Sequence, residues 1–252
     1  MTASHNDLVR GQFGPTANAY VASAVHASGA DLETIAARAA DAGPKRALDL
    51  GCGGGHVAYA LAPHAGTVVA CDLAPDMLSA VAEEAGRRGI GTIATQVAPA
   101  ADLPFPDGHF DFLACRFSTH HWHDAEAGLR EARRVLASGA PAIFVDVVAP
   151  AAPALDTHLQ AVELLRDGSH VRDYRIDEWT AMLTRAGFDV GGMSRSRLRM
   201  DFADWTARMR TPAAHKAAIR ALQQQASVET ARHYAIEPDG SFTIDVALFE
   251  VG

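Results

Sequence analysis

The stretch ALDLGCGGGH, residues 47–56, decides the fold, because an apolar run ends at a group of glycines that opens a helical pattern. Gly51 and Gly53 would let the backbone approach a ligand closely, since a glycine carries no Cβ. The N–H groups exposed at a helix start are suitable partners for a carboxylate or a phosphate. The stretch therefore predicts a strand, a tight turn and a helix that together bind a nucleotide-like cofactor.

The spacing of the glycines argues against a dinucleotide. A dinucleotide fingerprint needs a glycine three residues after its second glycine, and counted from Gly53 that position holds His56. Asp72 ends the next predicted strand, where a carboxylate can accept hydrogen bonds from both hydroxyls of a ribose. Together these features predict an adenosine-like ligand. A nicotinamide oxidoreductase is the weaker alternative, because the sequence has no Tyr-x-x-x-Lys pair.

Short apolar runs alternate with helical patterns between residues 46 and 148, which is typical of βαβ units and a mostly parallel sheet. Strands are predicted there at 46–50, 67–72, 92–97, 110–115 and 141–147. The alternating apolar residues of 241–251 predict one more strand that closes the sheet edge. Helices are predicted at 16–27, 31–42, 76–88, 154–166, 177–186, 202–209 and 212–226.

Length and composition favour one large α/β domain. The chain has 252 residues, of which 48% are hydrophobic and 21% charged, so it can bury a large core. We expect four parts: an N-terminal helical cap (1–43), a cofactor-binding core (44–150), a substrate-side helical region (151–240) and a closing strand (241–252). The net charge of −8 argues against nucleic acid as a partner, because counterion release needs a clustered basic face.

The cysteines and the apolar runs indicate the cellular compartment of the protein. The 3 cysteines are an odd number without metal-ligand spacing, so no metal is predicted. The N-terminal residues have no apolar signal region, and every apolar run is shorter than a bilayer span. We expect a cytoplasmic protein without membrane insertion.

Further motifs surround the predicted strands: VVACDLAPDML (68–78), ADLPFPDGHFD (101–111), CRFSTHHWHD (115–124) and EARRVLASGAPAIFVD (131–146). Together with LDLGCGGG they resemble class I S-adenosylmethionine-dependent methyltransferases, specifically the type 11 group that includes the ubiquinone/menaquinone-biosynthesis C-methyltransferases. The resemblance implies a Rossmann-like fold with a mostly parallel seven-stranded sheet, an antiparallel last strand, helices on both faces, an N-terminal helical cap and a helical insertion.

The implied activity is transfer of a methyl group from S-adenosyl-L-methionine to a small or medium organic acceptor, with S-adenosyl-L-homocysteine as product. Carried over by position, the resemblance implies these cofactor-binding residues: Gly51, Cys52, Gly53, Asp72, Leu73, Met77, Ala100 and Phe117. The glycine loop would meet the methionine end, Asp72 the ribose, and Ala100 the adenine edge. Pro99 departs from the pattern, because many relatives have an Asp there that accepts from the adenine amino group.

Several questions stay open from the sequence. His120 and His121 are candidate catalytic bases, because imidazole titrates near neutrality; the alternative is a packed or N-capping role. Phe13 and Tyr20 form either a lid over the cofactor or the apolar face of a capping helix. The methylated atom (O, C or N) is undetermined, a non-catalytic S-adenosylmethionine-binding regulatory module is the alternative function, and a homodimer stays open.

Overall fold

The computed structural model describes residues 3–13 and 28–252, which contain one seven-stranded sheet. Its strands are β1 (Arg46–Leu50), β2 (Thr67–Asp72), β3 (Ile93–Val97), β4 (Phe112–Arg116), β5 (Ala142–Val147), β6 (Val190–Met200) and β7 (Phe242–Val251). The strand order is β3-β2-β1-β4-β5-β7-β6. The strands from β1 to β5 pair in parallel, whereas β7 is antiparallel to both of its neighbours. The predicted fold class is confirmed.

Within the described residues, helices connect most of the consecutive strands, whereas β3 and β4 are joined by a loop. They are α1 (His5–Phe13), α2 (Ala30–Ala42), α3 (His56–Leu61), α4 (Pro75–Arg87), α5 (Ala125–Val135), α6 (Pro153–Arg166), α7 (Ile176–Ala186), α8 (Phe202–Arg208), α9 (Ala213–Gln224) and α10 (Val228–His233). The predicted helices from residue 31 onward appear with ends shifted by one or two residues, although the positions of α5 and α10 were not predicted. The helix predicted at 16–27, with Tyr20, lies outside the described residues. Within those residues, no helix is long and apolar enough to cross a membrane.

The two faces of the sheet carry separate hydrophobic clusters. In β4, Leu113 and Cys115 belong to the cluster that contains α5 and α7 residues, whereas Phe112 and Ala114 belong to the cluster of α2, α3 and α4. All residues of β4 are buried because successive side chains of a strand point to opposite faces and both faces are covered. This layering explains why the central strands are recognisable as continuous apolar runs.

The strand β6 was missed by the sequence prediction, which treated 151–240 as a helical region. Its sequence, VGGMSRSRLRM, combines glycines with arginines and lacks an apolar alternation. β6 pairs only with β7 and forms the edge of the sheet, so most of its side chains are exposed. An edge strand with charged side chains is a common protection against pairing with other chains, and its exposure removes the apolar signal of a strand.

The topology places a crevice at the carboxyl ends of the central strands. β1 pairs with β2 on one side and with β4 on the other, so the chain leaves β1 in one direction and returns on its opposite side. Loops that follow such strands diverge and leave room for a ligand between them. The glycine loop after β1 and the histidine-rich loop after β4 therefore face each other across this crevice.

Candidate functional site

A cavity of about 300 Å³ lies in this crevice. Its walls come from the loops that follow β1, β2, β3 and β4, and from one side of α1. The lining residues are Asn6, Val9, Phe13, Leu50, Gly51, Gly53, Gly54, His56, Val57, Asp72, Leu73, Met77, Ala98, Pro99, Ala100, Ala101, Arg116, Phe117, Ser118, His121, Trp122, His123 and Asp124. The cavity thus brings together the glycine loop, the acidic end of β2 and part of the histidine motif.

Two glycines of the loop after β1 have different roles. The φ angles of Gly51 and Gly53 are 71° and 49°, in the left-handed region that favours glycine. A Cβ on Gly51 would overlap the Oγ of Ser118, so this glycine allows the β1 and β4 loops to touch. A Cβ on Gly53 would meet no atom within 4 Å, so Gly53 borders open space.

Asp49 anchors the helix that follows the glycine loop. Its Oδ2 accepts a hydrogen bond from the backbone N–H of Ala58 at 2.9 Å, and its side chain is buried. Burial raises the pKa of Asp49 to about 8, against the lowering effect of the Ala58 hydrogen bond and with a further increase from the charge of Asp72. This contact gives Asp49 a structural role, because it ties the end of β1 to the first turn of α3.

Asp72 presents its carboxylate at the cavity wall. Oδ1 accepts from the N–H of Ala74 and Oδ2 from the N–H of Gly53, both at 2.9 Å. Burial raises the pKa of Asp72, while the N–H groups of Ala74, Gly53 and Leu73 oppose that increase. Each carboxylate oxygen can accept more than one hydrogen bond, so two neighbouring hydroxyls could still bind here. The arrangement suits the ribose of an adenosine-like ligand.

An apolar slot continues from Asp72 along the cavity. Leu73 and Met77 form one side, and the backbone of 98–101 forms another. Met77 also belongs to a small buried cluster against which Phe13 of α1 packs. A flat, mostly apolar ring such as adenine fits between such walls.

Helix α1 covers this part of the cavity. The Nε of Arg10 donates to the carbonyl of Leu73 at 3.3 Å, and the Nε2 of His5 donates to the carbonyl of His121 at 2.8 Å. The ring centroid of Phe13 lies 4.9 Å from that of His121, in an edge-on orientation. These contacts support a covering role for Phe13, while Tyr20 lies outside the described residues.

Phe117 and Trp122 shape the opposite wall. Phe117 has a φ of 53°, which is unusual for a residue with a Cβ and marks local backbone strain at the cavity. The Nε1 of Trp122 donates to the Oγ of Ser118 at 3.1 Å. Gly128 makes room for this indole, because a Cβ there would overlap the ring. Ser118 and Trp122 were not singled out from the sequence, although both lie in the quoted CRFSTHHWHD motif.

The neighbouring histidines of this motif occupy different environments. His121 borders the cavity, whereas His120 lies behind it with its Nδ1 2.6 Å from Oδ1 of Asp146. Burial lowers the pKa of His120, but the charge and hydrogen bond of Asp146 and the charges of Asp173 and Glu163 together raise it to about 9. The pKa of His121 is held well below its ordinary value, first by burial and then by the charges of His120 and His170.

The structure gathers most of the predicted site residues but not all. The ones that border the cavity are Gly51, Gly53, Asp72, Leu73, Met77, Ala100, Phe117 and His121. Cys52 is buried beneath the loop, where its backbone N–H donates to the carbonyl of Cys71 at 2.9 Å. Burial raises the pKa of the Cys52 thiol well above its ordinary value, so the thiol stays neutral. Neither Cys52 nor His120 is among the lining residues.

Known proteins resemble this chain over most of its length. The type 11 methyltransferase domain family matches residues 48–144. The uncharacterized protein YafE of Escherichia coli K12 is 42% identical over 196 residues, which cover 78% of this chain and 95% of YafE. The uncharacterized methyltransferase YcgJ of Bacillus subtilis 168 is 32% identical over 224 residues, which cover 89% of this chain and 88% of YcgJ.

A solved structure and a shorter match add to these similarities. The crystal structure of YcgJ from B. subtilis superimposes with a TM-score of 0.83 at 30% identity, over 88% of this chain and 97% of that one. The demethylmenaquinone methyltransferase of Thermus thermophilus is 38% identical over 109 residues, which cover 42% of this chain and 49% of that protein.

Proposed function

The chain belongs to the S-adenosylmethionine-dependent methyltransferases of the type 11 domain family, and we propose that its central cavity binds S-adenosylmethionine beside a small organic acceptor. The observation that carries this proposal is the pairing of Asp72 with Gly53 at the cavity wall. A carboxylate held by backbone N–H groups next to a glycine with open space suits the ribose and the methionine end of one ligand.

The remaining walls fit the same cofactor. Leu73 and Met77 would hold the adenine from one side, and the backbone at Ala100 would meet its edge. Pro99 borders the cavity without a side-chain acceptor, so the adenine amino group would need a backbone carbonyl or a water molecule. When bound, the cofactor supplies an activated methyl group on its sulfonium sulfur.

The protein's own contribution would be alignment of the acceptor and exclusion of water. Helix α1 covers the cavity through Phe13 and His5, which limits the access of solvent. Holding two reactants in line can supply most of the acceleration of a displacement without a covalent residue. His120 and His121 are the proposed groups for handling a proton, because His121 borders the cavity and His120 lies next to it in the loop after β4.

The acceptor is proposed to be a flat aromatic compound. Phe13, Phe117, His121 and Trp122 bring ring faces and edges to one part of the wall, which is a suitable surface for an aromatic ring. The relative from T. thermophilus is named a demethylmenaquinone methyltransferase. Which atom of the acceptor receives the methyl group stays open.

Calorimetric titration tests the cofactor site. The wild-type protein should bind S-adenosylmethionine and S-adenosylhomocysteine, and NAD serves as the negative control. Asp72→Asn keeps the volume but removes the charge, and we expect a loss of about 2–4 kcal/mol in binding free energy, roughly a 30-fold to 1000-fold weaker Kd. Unchanged affinity in this variant would refute the ribose assignment.

Asp76→Asn is the matched control for this substitution. Asp76 is an exposed acidic residue in the first turn of α4, close to Asp72 in sequence but not among the lining residues of the cavity. The Asp76→Asn substitution should leave the affinities for S-adenosylmethionine and S-adenosylhomocysteine unchanged. Thermal unfolding of both variants shows whether a weaker affinity comes from the loss of one contact or from the loss of the folded structure.

The acceptor class is tested by formation of S-adenosylhomocysteine with a naphthohydroquinone. The matched control is the same ring with both oxygen atoms already methylated. Product from the hydroquinone supports the aromatic acceptor, and product from neither compound contradicts it.

A further inference from the structure

The loop that joins β3 to β4 contains no helix and no strand, yet its first residues, 98–101, form one wall of the cavity. One end of this loop is fixed to β2, because the N–H of Ala98 donates to the carbonyl of Asp72 at 3.1 Å. The other end is fixed to α5, because the N–H of Gly108 donates to the carbonyl of Arg134 at 2.9 Å. The backbone between these two ends needs further partners to hold its position.

Two side chains of α5, Glu131 and Arg134, supply these partners. The Oε2 of Glu131 accepts from the N–H of Leu103 at 2.9 Å. The guanidinium of Arg134 donates to the carbonyl of Leu103 through Nη2 at 3.0 Å and to the carbonyl of Phe105 through Nη1 at 2.7 Å. Within the described part of the chain, the backbone of 99–107 has no other hydrogen-bond partner outside this loop. The position of the loop therefore depends on this one pair of side chains.

The ion pair between Glu131 and Arg134 fixes the orientation of both side chains. Nε of Arg134 donates to Oε1 of Glu131 and Nη2 donates to Oε2, both at 2.7 Å. Such a bidentate pair adds geometric specificity, because a planar guanidinium matches a carboxylate in one arrangement only. The hydrogen bond from Arg134 lowers the pKa of Glu131 against the effect of burial, and the N–H of Leu103 lowers it further. The carboxylate is therefore ionised at neutral pH.

A tight turn connects the bound part of the loop to the cavity wall. The carbonyl of Pro99 accepts from the N–H of Asp102 at 3.1 Å, so the turn joins the lining residues directly to Leu103. Leu103 and Ala98 are both buried in the same hydrophobic cluster. Because the turn is short and both of its ends are held, a displacement of Leu103 would also displace the backbone of 99–101 at the cavity.

We propose that Glu131 and Arg134 are positioning residues, which hold the loop after β3 in the conformation that binds the adenine end of the cofactor. Neither side chain borders the cavity, so both act through the backbone of the loop. The Kd of a ligand increases by the inverse of the fraction of molecules whose site is competent to bind. Loss of the pair should therefore weaken cofactor binding without blocking the site. The inference rests on the proposed function, because it concerns the adenine wall of the same cavity.

Hydrogen–deuterium exchange of the segment 99–107, measured by mass spectrometry, tests whether the pair holds the loop. We expect Arg134→Ala to exchange faster than the wild type in this segment when no ligand is present, because the amide of Leu103 then opens more often. Saturating S-adenosylhomocysteine should restore the protection, since the ligand selects the bound conformation. Exchange in 99–107 that is the same in Arg134→Ala and in the wild type overturns the proposal.

Calorimetric titration with S-adenosylhomocysteine separates positioning from simple support of the fold. Arg134→Ala should bind this ligand about 10-fold more weakly, which corresponds to a loop that is competent to bind about one tenth of the time. Arg134→Lys keeps the positive charge but lacks the planar fork, so it should also exchange faster and bind more weakly. It replaces Arg134→Ala if that variant does not fold. Faster exchange together with unchanged affinity would show a purely structural role and overturn the proposal.

Arg130→Ala is the matched control on the same helix. Arg130 is exposed, and its Nη1 lies 3.7 Å from Oε2 of Glu126, away from the loop. This variant should keep the exchange of 99–107 and the affinity of the wild type. An equal loss in Arg130→Ala would assign the effect to α5 in general and overturn the proposal. A wild-type protein that does not bind S-adenosylhomocysteine refutes the proposed function itself, whereas wild-type binding with unaltered Arg134 variants refutes only this inference.

Discussion

The Nδ1 of His120 lies 2.6 Å from Oδ1 of Asp146, and the backbone N–H of His120 donates to Oδ2 of the same carboxylate at 3.2 Å. Asp146 belongs to β5, while His120 belongs to the loop that follows the adjacent strand β4. One buried carboxylate thus holds both the ring and the main chain of this loop. The pair positions the loop that brings His121 to the cavity.

The first prediction concerns the protonation of His120. Its pKa of about 9 lies above the ordinary value of about 6.5. Because the folded state binds this proton more tightly than the unfolded state does, the stabilisation is complete below about pH 6.5 and is lost as the pH rises through about 9. It amounts to at most about 3 kcal/mol. NMR titration of His120 measures it directly.

Asp146→Asn should lower the pKa of His120 to below 6.5, because burial then dominates. Asp102→Asn, a change at an exposed aspartate, is the matched control and should leave the titration of His120 unchanged. A His120 that still titrates near pH 9 in Asp146→Asn would show that other charges hold the proton.

The second prediction compares two glycines of one loop. Gly51→Ala should destabilise the fold by more than about 2 kcal/mol, since it combines a left-handed φ with overlap on Ser118, costs of about 1–2 kcal/mol each. Gly53→Ala should cost only the backbone strain of about 1 kcal/mol, yet weaken binding of S-adenosylmethionine, because its Cβ enters open space at the cavity. Denaturant unfolding and calorimetry distinguish the two.

Gly86→Ala is the control for these glycine variants. Gly86 lies exposed within α4 and a Cβ there would meet nothing within 4 Å. Higher helix propensity should raise the free energy of unfolding by up to about 1 kcal/mol. Equal stability losses at 51 and 53 would contradict the distinction between packing and ligand space.

The third prediction concerns the buried acid Asp49. Its pKa of about 8 lies above its value in an unfolded chain, about 3.9. The folded state therefore binds this proton more tightly, so the stability that the group contributes falls as the pH rises from about 4 to about 8. Asp49→Asn keeps an acceptor for Ala58 but does not titrate. Urea unfolding of both proteins at pH 5 and pH 8 should show a relative loss in the wild type on the order of 1 kcal/mol per pH unit. A constant difference would contradict the raised pKa.

The fourth prediction concerns the ion pair that attaches α2 to β4. The Nε of Arg116 lies 2.5 Å from Oδ2 of Asp31, and their side chains are only 5% and 14% exposed. Asp31→Ala removes a carboxylate from a buried guanidinium and should cost about 3 kcal/mol in unfolding free energy. Asp41→Ala, at an exposed position of the same helix, should change stability by less than about 0.5 kcal/mol. Similar effects of the two would show that the Arg116 pair contributes little.

Part of the candidate site could be predicted from the local sequence. LDLGCGGGH and Asp72 predicted the glycine loop and the acidic end of β2, because a tight turn needs particular residues at particular positions regardless of the distant chain. The resemblance extended this to Leu73, Met77, Ala100 and Phe117, all of which border the cavity. Their contact with a cofactor stays a prediction.

Other features of the fold and of the site could not be predicted from the local sequence. β6 escaped prediction because its partner β7 is distant in the chain, and its exposed edge carries arginines in place of an apolar pattern. Gly51 and Ser118, which would collide if Gly51 had a Cβ, are brought together only by the pairing of β1 with β4.

The sequence by itself determined the strand–glycine–helix unit, the order of most elements and the likeness to methyltransferases, since these depend on residues close together in the chain. Only the tertiary structure decided which of two adjacent histidines borders the cavity. His120 and His121 are equivalent as sequence, but Asp146 from β5 binds one and Ser169 and Asp167 from the loop after α6 meet the other. Protonation depends on burial and on charges that folding brings near, and these partners lie far away in the chain.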